Sequence, residues 1–233
     1  MIRNLFIDLD DTLFDFHRSE AKALSETFIS LGITPTEENV ALYSRINQGQ
    51  WERLERREAT REEILFKRFE LLFSELGIEN HTPSEAQSLY EGNLSKTYFY
   101  VDGAEELLMK LSGKYDIYIA SNGTAVVQDS RIALSGIKKY VTGIFISQRV
   151  GYDKPSREFF DACFNSIENF KKEETIIVGD SLTSDILGGI NAGIKTCLFN
   201  PKEKPGRNDI VPDYEIKTLA ELIKILDLID KEN

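Results

Sequence analysis

The sequence predicts an α/β protein whose parallel sheet is interrupted, after its first strand, by a block of helices. Three observations predict this. Residues 5–9 form a short apolar run that ends in Asp10-Asp11-Thr12. Residues 17–98 hold no strand-like run but repeat apolar residues at spacings of three and four. Beyond Asp102-Gly103, strand-like and helix-like segments alternate. Such alternation implies a parallel sheet covered by helices on both faces.

The elements follow in order. The run at residues 5–9 is rich in β-formers and stops at a polar loop, so it reads as a buried strand. The helical block reads as four helices. Leu24, Phe28 and Leu31 share one face; Ile64, Leu65, Phe69, Leu72, Phe73 and Leu76 share another. Gly32, the neighbourhood of Thr60, Gly77 and Pro83 supply stops and starts. Strands are then expected over residues 115–120, 143–147, 174–178 and 195–198. The first of these ends in Ser121-Asn122-Gly123, and that over 174–178 ends in Gly179-Asp180-Ser181. Helices fit residues 157–167 and 183–192. Residues 200–212, with Pro201, Pro205, Gly206 and Pro212, form a loop.

Composition narrows the function. A chain of 233 residues can form one large domain, or a core with a small accessory domain. Cys163 and Cys197 are far apart with no CxxC pair, which argues against a disulfide framework or a cysteine-built zinc site. His17 and His81 are the only histidines, so chemistry that needs a histidine cluster is excluded. The net charge of −11 makes nucleic acids and anionic membranes poor partners. A small phosphorylated substrate remains, because one lysine and a metal can reverse the field locally. No apolar run approaches a membrane span, and the first residues read as a strand, not a leader. The expected location is the cytoplasm, as a monomer or homodimer.

Ligands of open α/β sheets bind beyond the carboxyl ends of the strands. The residues there are Asp8, Asp10 and Thr12; Ser121 and Asn122; Lys154-Pro155; and Asp180, with Asp185 five residues on. Carboxylate oxygens suit Mg²⁺. The lysine and the backbone N–H groups after Ser121 suit a phosphate. Where a strand turns into a loop, one side chain and one backbone carbonyl two residues apart can face the same ion. The second side chain is then free for proton transfer. A carboxylate is also a feasible nucleophile, and a metal reduces its repulsion from phosphate.

These residues resemble the haloacid-dehalogenase-like (HAD) superfamily of phosphatases. Its first motif appears as Asp8-Leu9-Asp10-Asp11-Thr12, its second as Ser121, its third as Lys154-Pro155 and its fourth as Gly179-Asp180-Ser181-Leu182-Thr183-Ser184-Asp185. Asp11 departs from the glycine common at that position. The resemblance implies a Rossmann-like core over residues 1–16 and 100–233, with a C1-type helical cap over residues 17–99. Within the superfamily the chain is similar to house-cleaning pyrimidine 5′-nucleotidases, through residues 184–193, Asn47 and Trp51, and residues 197–201.

The resemblance implies roles as well. Asp8 attacks phosphorus, and Asp10 protonates the leaving alcohol and then activates water. Mg²⁺ is held by Asp8, the Asp10 carbonyl and Asp180. Thr12, Ser121, Asn122 and Lys154 contact the substrate, Lys154 also steadying Asp8, and Asp185 orients metal waters or Lys154. The expected substrate is a pyrimidine nucleoside 5′-monophosphate.

Plainer roles stand beside these. Ser121 could cap a helix starting near Thr124, and Asp185 could be a first-turn acid. Asn47 and Trp51 either pack the cap or touch substrate. Phe14 and Phe16 either line the pocket or staple the hinge, and His17 reads as an exposed hinge residue. Among other functions, a cysteine phosphatase needs Cys-x₅-Arg, which neither cysteine begins, and no Walker A lysine follows Gly193. A haloacid dehalogenase lacks the second motif aspartate. Sugar-phosphate or phosphoglycolate phosphatases and phosphomutases share the motifs and differ in the cap. A receiver-like phospho-aspartate module carries neither the helical insertion nor an acceptor on the first strand.

Overall fold

The computed structural model describes residues 1–232; the last residue of the expected 100–233 segment lies outside them. The elements run β1 (Asn4–Ile7), α1 (Phe16–Ser30), α2 (Glu37–Glu55), α3 (Arg61–Leu76), α4 (Pro83–Leu94), α5 (Ala104–Leu111), β2 (Asp116–Ser121) and α6 (Ala125–Ser135). They continue with β3 (Gly143–Ile146), α7 (Ser147–Val150), α8 (Arg157–Asn165), β4 (Thr175–Gly179), α9 (Leu187–Ala192), β5 (Lys195–Phe199), β6 (Tyr214–Ile216) and α10 (Glu221–Glu232). The six strands form one sheet in the order β3-β2-β1-β4-β5-β6, and every pair is parallel.

Alternation along β1 divides the core in two. Leu5 and Ile7 face α5 and α10, among Leu107, Leu108, Leu222 and Leu226. Phe6 faces the other way, onto Tyr118, Phe160 and Phe164. With both faces covered, β1 is apolar throughout except Asn4, whose amide donates to the Thr175 hydroxyl. The order of strands reverses at β1, so the crevice beyond its carboxyl end is where an open α/β sheet places a ligand.

The helical insertion has its own core of Leu24, Phe28, Tyr43, Phe69, Leu72, Phe73 and Tyr90. Its helices start as their sequences dictate. Asp15, Thr36, Thr60 and Thr82 each accept a backbone N–H of the following first turn, and Thr60 completes a capping box with Glu63. Gly77 closes α3 in the left-handed conformation. The chain leaves and re-enters the α/β core side by side, joined by a bridge between Phe14 and Tyr100.

Two differences from expectation matter, and Phe14 takes one of the two places left open for it. The helix expected over residues 183–192 is split: a π-helical turn, Leu182–Ile186, precedes α9. The loop expected at residues 200–212 is followed by β6 and α10, neither of which the sequence reading anticipated. Phe14 is wholly buried in the sheet core, so it is a hinge staple and not a pocket residue.

Candidate active site

Four segments converge beyond the carboxyl ends of β1, β2 and β4. Asp8 follows β1, and its backbone is still held by the Val178 carbonyl of β4. Ser121 ends β2, Asp180 follows β4, and Lys154 lies on the loop between α7 and α8. The ammonium of Lys154 is the centre of the arrangement. It donates to Asp8 Oδ1 at 2.7 Å, Asp185 Oδ1 at 2.6 Å and the Ala120 carbonyl at 2.5 Å. An ammonium has three protons, and each has an acceptor here. Burial alone would lower the Lys154 pKa, but the carboxylates of Asp185 and Asp8 outweigh it and hold the group charged. Burial pushes the Asp8 carboxyl up, against the pull of Lys154.

The π turn explains how Asp185 reaches this point. Asp185 Oδ2 accepts the Ser181 N–H at 3.1 Å while Oδ1 takes the lysine, and the residue is 1% exposed. Its carboxyl lies against the Cα of Gly179, where a side chain would meet Asp185 Oδ2 at 2.1 Å. The glycine of Gly179-Asp180 therefore makes room for the aspartate six residues later. Gly123 has the same relation to Gln128, whose amide lies 2.2 Å from where a Cβ would sit.

Carboxylate oxygens of Asp8, Asp180 and Asp185 lie within 4.8 Å of one another. Asp185 and one oxygen of Asp8 are engaged by the lysine, which leaves the other oxygen of Asp8 and the Asp180 carboxyl for a cation. An all-oxygen, carboxylate donor set of this kind fits Mg²⁺. Burial pushes the Asp180 carboxyl up to about 7, with Asp11 and Asp185 adding to the rise and Lys204 opposing it. A divalent cation would reverse that preference.

Asp10 is held by a different pair of side chains. Its Oδ1 accepts Arg131 Nη1 at 2.6 Å and its Oδ2 accepts Gln128 Nε2 at 2.6 Å. Arg131 has no exposed surface, and its Nη2 is buried without a hydrogen-bond partner among the described residues. Ser121 Oγ accepts from the Gly123 N–H at 3.1 Å and from Gln128 Nε2 at 2.9 Å, so its own proton remains to donate. It is not the cap of α6; Thr124 holds that position. Asp11 has φ of 57°, which accounts for the glycine preference at that place. Its carboxyl accepts the N–H groups of Phe16 and His17 at the start of α1.

One expected substrate contact is corrected, and another has a second role. Thr12 is fully buried, its hydroxyl has no partner among the described residues, and it does not line the cavity. Asn122 has both ends of its carboxamide on the Lys154 backbone, accepting the N–H at 2.9 Å and donating to the carbonyl at 2.8 Å. It positions the lysine and also lines the cavity. Asp8, Asp10, Ser121, Lys154, Asp180 and Asp185 all line one cavity of about 480 Å³. That volume falls in the range of small-molecule sites, about 300–1,000 Å³.

The far wall of the cavity is the cap. Phe16, Glu20, Asn47, Trp51 and Arg68 line it. Glu55 and Arg61 fasten cap to core: Thr183 Oγ1 donates to Glu55 at 2.6 Å, Arg61 donates to the Asn122 carbonyl at 2.6 Å and to Ser147 Oγ at 2.7 Å, and Arg61 pairs with Asp153. The sequence reading missed Gln128, Arg131, Glu20, Arg68 and Lys204, which lies 3.5 Å from Asp180. A signal existed for three of them, Glu20 standing four residues before Leu24. Arg131 falls four residues after Val127, and Arg68 four after Ile64, each a charge inside an apolar stripe.

A profile of the haloacid dehalogenase-like hydrolases matches residues 2–193. The HAD-hydrolase YfnB of Bacillus subtilis is 40% identical over 97% of this chain and 96% of its own. Its crystal structure bound to magnesium superposes with a TM-score of 0.93 at 39% identity, covering 97% of this chain and 99% of that one. The pyrimidine 5′-nucleotidase PynA of Streptococcus pneumoniae is 35% identical, covering 96% of this chain and 94% of its own. The pyrimidine 5′-nucleotidase YjjG of Escherichia coli is 30% identical, covering 95% and 96%.

Proposed function

The chain belongs to the haloacid dehalogenase-like hydrolases and is a phosphoric monoester hydrolase, and we propose that it removes phosphate from pyrimidine nucleoside 5′-monophosphates. The observation that carries the chemistry is the Lys154 ammonium bridging Asp8 and Asp185 at the floor of a cavity that the cap completes. The substrate class rests on likeness to two proteins named for that activity along nearly their whole length.

Asp8 is the nucleophile. One of its carboxylate oxygens bonds to phosphorus as the bond from phosphorus to the ester oxygen breaks. Asp10 gives its proton to that oxygen, and the nucleoside leaves as an alcohol. Asp10, now a carboxylate, takes a proton from water. The water oxygen bonds to phosphorus, the bond from phosphorus to Asp8 breaks, and inorganic phosphate is released. Mg²⁺ held by Asp8 and Asp180 would neutralise charge on the phosphoryl oxygens. Lys154 keeps Asp8 aimed and presents positive charge where the equatorial oxygens sit, and Ser121 donates to one of them. Arg131 and Gln128 fix the Asp10 carboxyl from behind.

The test is phosphate release with Mg²⁺ from pyrimidine and purine 5′-monophosphates, ribose 5-phosphate and phosphoglycolate, with wild type and Asp8→Asn side by side. Highest kcat/KM on the pyrimidine nucleotides, and loss of at least about 10⁴-fold in Asp8→Asn, is expected. Preference for sugar phosphates would overturn the substrate; activity retained in Asp8→Asn would overturn the mechanism.

A further inference from the structure

Across the cavity from the phosphate end lies a second buried polar cluster that the hydrolytic chemistry does not use. Arg68 Nη1 donates to Asn47 Oδ1 at 2.9 Å, and Asn47 Nδ2 donates to Glu20 Oε1 at 2.7 Å. Behind them, Arg68 Nε and Nη2 both donate to Gln87 Oε1, at 3.0 and 2.8 Å. Glu20, Asn47 and Arg68 are 2%, 2% and 3% exposed, yet all three line the cavity. Arginine can only donate and the carboxylate can only accept, so the orientation of the Asn47 carboxamide is fixed by its neighbours.

Such a cluster is poorly explained as packing. It sits beside Tyr43, Phe69 and Tyr90, in the apolar core of the cap. Buried ions there gain little over apolar residues of the same volume. Burial also pushes the Glu20 carboxyl up, although Ser44 and Asn47 hydrogen-bond to it. The hydrogen-bonding capacity left over is mixed. One N–H of Asn47 and one on each terminal nitrogen of Arg68 remain as donors, next to the remaining lone pairs of Glu20. A partner that satisfies this wall presents a donor to Glu20 and, beside it, an acceptor to Asn47 and Arg68. The phosphoryl group is held at the opposite end, so the partner is the leaving group.

We propose that Glu20, Asn47 and Arg68 form the specificity wall that reads the amide edge of a uracil-type base in the substrate, Glu20 accepting the ring N–H and the amide and guanidinium donating to the adjoining carbonyl. This rests on the nucleotidase reading above and deepens it. Phe16 and Trp51 line the same cavity and supply ring faces on which a base can lie. Discrimination by such a wall is strong because an analogue without the edge leaves buried polar groups unpaired.

The experiment measures kcat/KM for uridine 5′-monophosphate, N3-methyluridine 5′-monophosphate and ribose 5-phosphate, in wild type, Glu20→Gln and Asn47→Leu. In wild type, methylation at N3 is expected to lower kcat/KM at least tenfold. In Glu20→Gln and Asn47→Leu the ratio of uridine nucleotide to ribose 5-phosphate falls at least tenfold, chiefly through KM. Glu20→Gln is isosteric and keeps an acceptor for Asn47, so it decides the matter if Asn47→Leu does not fold. A folded Glu20→Gln whose ratio stays within threefold of wild type overturns the assignment alone. A wild type that hydrolyses ribose 5-phosphate as well as the nucleotide overturns the nucleotidase reading itself.

Discussion

The cavity is closed by two buried ionic clusters built on different plans. On the core side, Lys154 touches Asp8 and Asp185 directly, and all three are almost wholly buried. On the cap side, the charges of Arg68 and Glu20 are joined through a neutral carboxamide, Asn47. The core cluster stores an arrangement: removing its cation leaves two anions with no countercharge. In the cap cluster the two charges do not touch, and each has the Asn47 carboxamide as a neutral partner. What differs is function. On the proposed function, one end holds charge against a developing transition state and the other matches a neutral edge.

Removing the cation at each end is the sharpest way to break this comparison. Lys154→Met is expected to lower kcat by at least about 10³-fold and to destabilise the fold by about 3–5 kcal/mol, as for a broken buried pair. Arg68→Met is expected to cost about 1.5–3 kcal/mol, as for a lost hydrogen bond to a charged group. Equal losses in urea denaturation would show that the two clusters are alike after all.

Next in size is pH. The Asp180 carboxyl is raised to about 7 from an ordinary 3.8, so between those values the folded state holds a proton that the unfolded state has released. Stability contributed by this group is therefore full below the lower value and is lost as pH rises through the upper one. Metal-free protein is expected to melt at least about 3 °C lower at pH 8 than at pH 5.5, and Mg²⁺ to close most of the gap. A gap unaffected by Mg²⁺ would remove Asp180 from the cation site.

The comparison also explains what the sequence could reveal. Asp8, Ser121, Lys154 and Asp180 sit beside the ends of short apolar strands or in short motifs, where a polar residue stands out against its neighbours. Glu20, Arg68 and Arg131 lie inside helices, where polar residues are common. Only the helical period shows that they point inward, at Leu24, Ile64 and Val127 spacing. Lys204 was hidden in a loop read as a connector. β6 spans three residues at the sheet edge, too few to carry a period. The π turn at Leu182–Ile186 has no pattern of its own; its cause is the demand that Asp185 reach Lys154 over Gly179.

The smallest expected effect joins the two regions. Arg61→Ala removes the cap's hold on the Asn122 carbonyl, Ser147 and Asp153. KM for the nucleotide is expected to rise roughly three- to tenfold, with a smaller change in kcat, because the far wall no longer stays seated over the substrate. A fall in kcat alone would place Arg61 with the chemistry instead.

Asn122 gives that fastening a second meaning. Its carbonyl receives the cap's arginine while its side chain grips the backbone of Lys154 on both sides, and the ammonium of Lys154 grips Asp8. Four residues thus make a continuous relay from the lid to the nucleophile. Linkage is reciprocal: whatever free energy seating the lid contributes to aligning Asp8, a phosphate gripped at Asp8 returns to the lid. The enzyme would then shut on occupied sites in preference to empty ones, with timing built into a single asparagine.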